Sequence, residues 1–202
     1  MNQNDIYMDS LKMEDIPWIR LATPYGRAEK FPEYFQKLYS KDKEILDNNL
    51  KNIKWNIEHQ DTLWPVTPIA LVFLVRIFEE KFTEADENII SVYLCEKLLE
   101  LFILVAKAYH YANEMEHEQP VSTFADMLSS DSLWPEVPED YDEEADLELY
   151  EESPFSDELF YSFYYYSYVV LQRMKPLLYK VQDESMKEKA GKLKELLNSE
   201  TV

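Results

Sequence analysis

Glycine is nearly missing from this sequence: Gly26 and Gly191 are the two in 202 residues. A β-sandwich or an α/β protein of this length needs glycine at many turns and at phosphate-binding loops, so sheet-rich folds are excluded and an all-α fold is expected. Cysteine is scarcer still. A single residue, Cys95, cannot form a disulfide within the chain, and the N-terminus lacks the basic, then apolar, then small-residue succession of a secretory signal, which points to the cytoplasm. Long uncharged apolar runs are also lacking. The most apolar stretch, Ile89 to Tyr109, is interrupted by Glu96, Lys97, Glu100 and Lys107, and the pieces between them are too short to cross a bilayer. Glu96, Glu100 and Lys107 recur at four and seven, one narrow polar stripe on a helix that is otherwise apolar and therefore buried between neighbours.

Positive charge is absent from one whole region. Between positions 108 and 172 there is no Lys or Arg, while seventeen Asp and Glu fall there, so all but three charges of the net −20 sit in that block. Such a surface repels phosphate backbones and anionic lipid heads and attracts cations. Direct nucleic-acid binding and membrane binding are not expected; a basic protein partner is.

What is present is helical periodicity. Tyr34, Phe35, Leu38 and Tyr39 repeat at three and four; Asp42 is placed to cap a helix bearing Ile45, Leu46, Leu50, Ile53 and Ile57; Pro65 and Pro68 introduce a third through Ile69 to Phe78. Thr83 with Asp86 and Glu87 reads as a capping box for a fourth that Pro120 closes. Helices are predicted over 42–58, 67–81 and 86–117. Two successive helical hairpins, neither able to bury its apolar faces without the next, follow the logic of a short α-solenoid. Pro17 and Pro24 keep residues 1–27 from forming a long helix and make them an arm packed on the body. Residues 28–118 hold the hairpins, 119–156 an acidic loop insert with a short amphipathic piece at Phe124 to Leu128, and 157–202 the C-terminal helices of the same single domain. FYSFYYYSYVVL, residues 160 to 171, has β propensity but no turn signal inside it, and fits a helix here.

Catalytic signatures are wanting: there is no nucleophile elbow, phosphate-binding glycine loop, zinc-ligand cysteine pair or zincin motif. Cys95 sits within the most buried helix as a core residue. His110, Glu114 and His117, at offsets of four and three with Glu118 nearby, share a helical face and have the residue types of a transition-metal site. No matching Glu-x-x-His lies on another helix and His59 is remote, so a solvated helix end is the preferred reading, with no metal, cofactor or catalysis expected. The acidic block is different from solvating sequence because aromatics lie within it. Trp134, Glu139, Asp140, Tyr141, Asp142, Glu143, Glu144, Asp146 and Tyr150 are the candidate partner-binding residues: carboxylates to steer a basic partner, Tyr and Trp to supply contact area. The plain alternative is a solvated loop. The tyrosines of 161 to 168 read as core and helix-edge packing.

Residues 15 to 78 carry a Trp18 entry, Tyr25-Gly26 before the first hairpin helix, a break at Ser40 and Asp42, and His59-Gln60-x-Thr62 ahead of Pro65 and Pro68. This third of the chain resembles the N-terminal part of bacterial HEAT-repeat-like proteins. That family usually has glycine where this chain has Asp61, and glycine is the residue that reaches φ > 0 without cost. The resemblance implies an α-α superhelix with no catalytic residues to carry over; some similar proteins look like immunity proteins encoded beside secreted antibacterial toxins. Under that reading 108–172 is the partner-specific part. The expectation is an acidic immunity or inhibitor protein that occludes the basic active-site cleft of a toxin effector domain, such as a nuclease. A HEAT-like scaffold or adaptor for another cellular protein is the alternative, and a metal-dependent helical enzyme the third.

Overall fold

Twenty-five residues of mostly apolar sequence form one helix, α5 (Ile89–Asn113), started by Asn88, whose side chain accepts from the backbone N–H groups of Ile90 and Ser91. A helix that is apolar around most of its circumference has to be covered on several sides. It packs on α3 (Lys43–Ile57), α4 (Val66–Thr83), α6 (Asp157–Gln172) and α8 (Glu184–Asn198). The computed structural model describes residues 2–85, 88–137, 146 and 155–199. Its other elements are α1 (Gln3–Ser10), α2 (Phe31–Lys37), α7 (Lys175–Leu178) and short 3-10 turns at Met13–Asp15, Trp18–Arg20 and Phe124–Leu128. Strands among the described residues are limited to two antiparallel ladders, β1 (Ala22–Thr23) with β2 (Gly26–Arg27) and β3 (Glu58–His59) with β4 (Thr62–Leu63). The protein is therefore mostly helical, with helices packed on one another. No helix among the described residues is long and apolar enough to cross a membrane.

The expected helices over 42–58 and 67–81 correspond to α3 and α4, and Asp42 caps α3 by accepting from the N–H groups of Glu44 and Ile45. The helix expected over 86–117 is shorter at both ends. Thr83 belongs to the last turn of α4, where its hydroxyl donates to the Glu80 carbonyl, and Asn88 is the cap instead. At the other end α5 stops at Asn113 because the chain turns to run against α6. There Val121 N–H donates to Ser162 Oγ at 2.8 Å, and the Tyr166 hydroxyl donates to the Val121 carbonyl at 2.6 Å.

Helix α6 contains the tyrosine-rich segment whose composition favours strands. Tertiary cover decides it: α6 lies against both α4 and α5, with the Tyr168 ring stacked on Tyr109 at 4.0 Å. Buried Ser162 and Ser167 are satisfied within the helix, donating to the Glu158 and Phe163 carbonyls. Helix α8 explains the polar stripe of α5, since Lys189 pairs with Glu96 and, at 3.3 Å, with Glu100. The last turn of α8 leaves backbone carbonyls without helical partners. His110 Nε2 donates to the Leu196 carbonyl at 2.7 Å and Gln172 Nε2 to that of Leu197 at 2.8 Å, so α5 and α6 together cap α8.

The N-terminal segment packs on the body and contains α1, which is opened by a capping box between Asn2 and Asp5. Trp18 is its anchor: the indole stacks on Phe31 at 5.7 Å, meets Phe35 and Phe73, and donates through Nε1 to the Met13 carbonyl.

Burial raises the Tyr166 phenol from its ordinary 10.0 to about 12, and burial together with Asp47 does the same for Tyr93. A folded-state value above the unfolded one means that the stabilisation is intact below pH 10.0 and is lost as pH rises toward about 12. Tyrosinate absorbance of the folded protein should accordingly lag behind that of the unfolded chain, and unfolding free energy should fall across this window. Tyr166→Phe should lessen the fall, which denaturant titrations at several alkaline pH values would register.

Candidate functional site: a cleft beside the acidic block

Two tight hairpin turns build the wall of a cleft. In the first, Pro24 and Tyr25 join β1 to β2; Tyr25 N–H donates to Thr23 Oγ1, and Gly26 follows at φ +109°, a conformation that only glycine adopts without strain. Nothing lies within 4 Å of where a Cβ would stand on Gly26, so its requirement is purely one of backbone. In the second turn Gln60 and Asp61, between β3 and β4, have φ of 53° and 62°. Positive φ at both central residues is the requirement of a type I′ hairpin turn, in which glycine is usual. Asp61 thus occupies a left-handed position, supported by its N–H donating to Glu58 Oε1 at 3.0 Å.

The turns meet. Tyr25 OH lies 3.2 Å from His59 Nδ1, with the rings edge to face. Behind them opens a cleft of about 730 Å³, walled by Phe31, Tyr34, Trp64 and Trp134 and offering Lys30 and Asn56 as polar groups. Aromatic walls with a few convergent polar groups have the character of a binding site. Buried Thr67 fixes this side of the molecule, accepting from Trp64 N–H and donating to the Ile57 carbonyl, so that the end of α3 and the start of α4 share one hydroxyl.

Arg27 also lines the cleft. Its Nε and Nη2 make a forked pair with the Asp146 carboxylate at 2.8 to 3.1 Å, and its Nη1 donates to the carbonyls of Ile19 and Pro135, both at 2.9 Å. The guanidinium also faces the Trp134 ring at 5.3 Å. Both partners are buried, with side chains only 5% and 7% exposed. Arg20 adds a second tie: its Nε donates to the Trp134 carbonyl at 2.7 Å while Trp134 N–H donates to the Arg20 carbonyl. Pro135 and Asp146, on either side of the most acidic run of the chain, are therefore held by one side chain from the N-terminal arm.

Of the candidate partner-binding residues, Trp134 and Asp146 are brought together here, and both are inside: Trp134 is 4% exposed and Asp146 6%. In the unbound protein they are core contacts. Glu139, Asp140, Tyr141, Asp142, Glu143, Glu144 and Tyr150 lie outside the described residues. The face shared by His110, Glu114 and His117 is not kept, because α5 ends before the last two. His110 caps α8, Glu114 is exposed, and the His117 ring stacks on Tyr161 while its Nδ1 donates to the Glu118 carbonyl. Among the described residues no group of three or more His, Cys, Asp or Glu is arranged to hold a metal ion. Cys95 is fully buried, and burial pushes its thiol up to about 12.

No family model, curated protein or solved structure matches this chain.

Arg20 and Arg27 escaped the reading of the sequence, although a signal existed. The chain has only four arginines, and arginine is the cation that tolerates burial when its planar fork is matched.

Arg27→Ala would remove the forked cation that faces the buried Asp146 carboxylate and should lower stability by about 3 kcal/mol. Adding Asp146→Ala should restore part of that loss, a coupling that denaturant unfolding of the two single variants and the double variant would measure. Asp61→Gly should do the opposite of Arg27→Ala, raising stability by about 0.5–1 kcal/mol as the left-handed strain is relieved.

Proposed function

We propose that this protein works by binding another protein without catalysis, as an acidic immunity or inhibitor protein for a basic toxin effector domain, most simply a nuclease. A nuclease presents positive charge to hold phosphates, and an acidic occupant of its cleft gains steering and complementarity together. The observation that carries the reading is the concentration of charge, seventeen acids and no Lys or Arg in 108–172, in a block gripped by Arg27 through Pro135 and Asp146. Holding an interaction segment at its ends lowers the ordering cost of binding. In this reading Glu139, Asp140, Tyr141, Asp142, Glu143, Glu144 and Tyr150 meet the partner, while Trp134 and Asp146 secure the segment that carries them. The resemblance of residues 15 to 78 to HEAT-repeat-like proteins supports the same class. So does the packing of α2 on α3 and of α4 on α5, which suits helical hairpins stacked as a short solenoid.

A second reading, a HEAT-like scaffold for a different cellular protein, is favoured by the aromatic cleft, whose rim residue Tyr25 is 60% exposed. Association kinetics separate the two once a partner has been captured and identified. Neutralising Glu139, Asp140, Asp142, Glu143 and Glu144 to Gln or Asn should slow association about tenfold and flatten its salt dependence, with little change in dissociation. Tyr141→Ala should speed dissociation, at a cost of about 2 kcal/mol if the ring is an anchor. Asp146 stays native in these variants because Arg27 depends on it. Unchanged kinetics in all of them, with a loss of binding in Tyr25→Ala, would give the interaction to the cleft and the scaffold reading.

A further inference from the structure

Where α5 ends, residues 114–118 turn across the first turns of α6 and leave a second cleft, of about 450 Å³. One side is aromatic. Phe160 is 45% exposed, its ring edge-on to Phe163 and tilted against Tyr164, while Tyr161 is buried beneath the stacked His117 ring. The other side is anionic: Glu116, Glu118 and Asp157 line the cleft and are exposed. Ion pairs among the described residues lie elsewhere; those of Lys189, Lys97, Lys81, Arg173 and Arg27 take up other carboxylates, and none reaches these three. Asp157 has a local role as well, since a carboxylate in the first turn of a helix suits its dipole. Glu116 and Glu118 have no such role, and residues 108–172 hold no Lys or Arg to answer them.

We propose that this corner is a docking site for an arginine side chain of a basic protein partner. Unanswered carboxylates beside the open aromatic ring of the corner, Phe160, are complementary to a cation. A guanidinium satisfies both at once, because its plane stacks on a ring while its fork pairs with a carboxylate, and it gives up water more readily than an ammonium. The inference rests on the proposed basic partner but places a contact apart from residues 139 to 150, on elements whose geometry is set by the packing of α5 against α6.

The probe is a short amidated Arg-Gly repeat peptide, with the same peptide carrying citrulline for arginine as its uncharged counterpart, titrated into isotopically labelled full-length protein and followed by NMR. The arginine peptide should shift resonances of residues 115–118 and 157–164, and the citrulline peptide should not. Phe160→Ala, and separately the exposed pair Glu116→Gln with Glu118→Gln, should each weaken the peptide about tenfold, the scale of one cation–π contact joined to a charged hydrogen bond. Neutralising Glu139, Asp140, Asp142, Glu143 and Glu144 should leave the shifts at this corner in place. Equal binding of the citrulline peptide, or arginine-peptide binding that survives both sets of corner substitutions, overturns the inference. If the arginine peptide responds only to neutralisation of 139–144, the inference fails while the acidic-segment reading stands. If it binds the corner although those same neutralisations leave partner association unchanged, the inference stands and that reading fails.

Discussion

Helix α5 presents apolar side chains in nearly every direction, and the arrangement of the other helices follows from the need to cover it. Leu94, Leu98, Phe102 and Val105 have no solvent exposure, which requires neighbours on several sides at once. Helices α4 and α6 supply two of them, and α8 the third, closing over Glu96 and Glu100 with the aliphatic stem and charged tip of Lys189. The tyrosines of α6 fit this frame because each combines a ring with a polar tip. Rings go to the core, and hydroxyls emerge where other elements end: Tyr161 on Asn113 at the close of α5, Tyr166 on Val121, Tyr168 on the terminal carbonyls of α8. A phenylalanine at position 166 would fill the space and remove the hydroxyl that donates to the Val121 carbonyl, whereas the carbonyls that Tyr168 meets also receive His110 and Gln172.

The peripheral segments are held differently, by arginine. Arg76 donates to the carbonyls of Met8, Asp9 and Leu11 and so caps the end of α1; Arg173 pairs with Asp5 and Asp9 of the same helix. Arg20 and Arg27 serve the stretch from Trp134 to Asp146. All four arginines are thus spent on attaching chain that has little apolar surface of its own. Lysine would not serve equally well, because the planar fork reaches a carboxylate and two carbonyls from one position without rotamer adjustment. In a chain with net charge −20, the few cations placed inside decide which part of the acidic sequence is held close to the body.

The helical core was legible because its signals are periodic and local: Asp42 as a cap, Pro65 and Pro68 at a helix start, apolar residues at three and four along α3 and α4. Strand propensity in FYSFYYYSYVVL was outweighed, correctly, by the absence of any turn inside it. What the sequence concealed depends on distant partners. Thr83 looks like a cap until Asn88 is seen to do that work, and no local rule distinguishes them. The early end of α5 is set by Ser162 and Tyr166, more than forty residues on. Trp134 and Asp146 look like exposed members of an acidic run, and only their pairing with Arg20 and Arg27 turns them inward. Asp61 was marked by the glycine expected there, and the positive φ it adopts is the physical content of that mark.

The late position of α8 in the chain has a consequence for synthesis. A ribosome releases α5 once Asn113 has emerged, yet the helix that completes its cover does not begin until Glu184, and the carbonyl that receives His110 belongs to Leu196. Contacts between residues far apart in sequence close late, after the loop between them has been made and ordered. Between the emergence of Asn113 and that of Glu184 the growing chain therefore carries a long apolar helix with one side uncovered, and the acidic block is made largely during that interval. Charge of one sign in that block opposes association between neighbouring chains, since like charges repel.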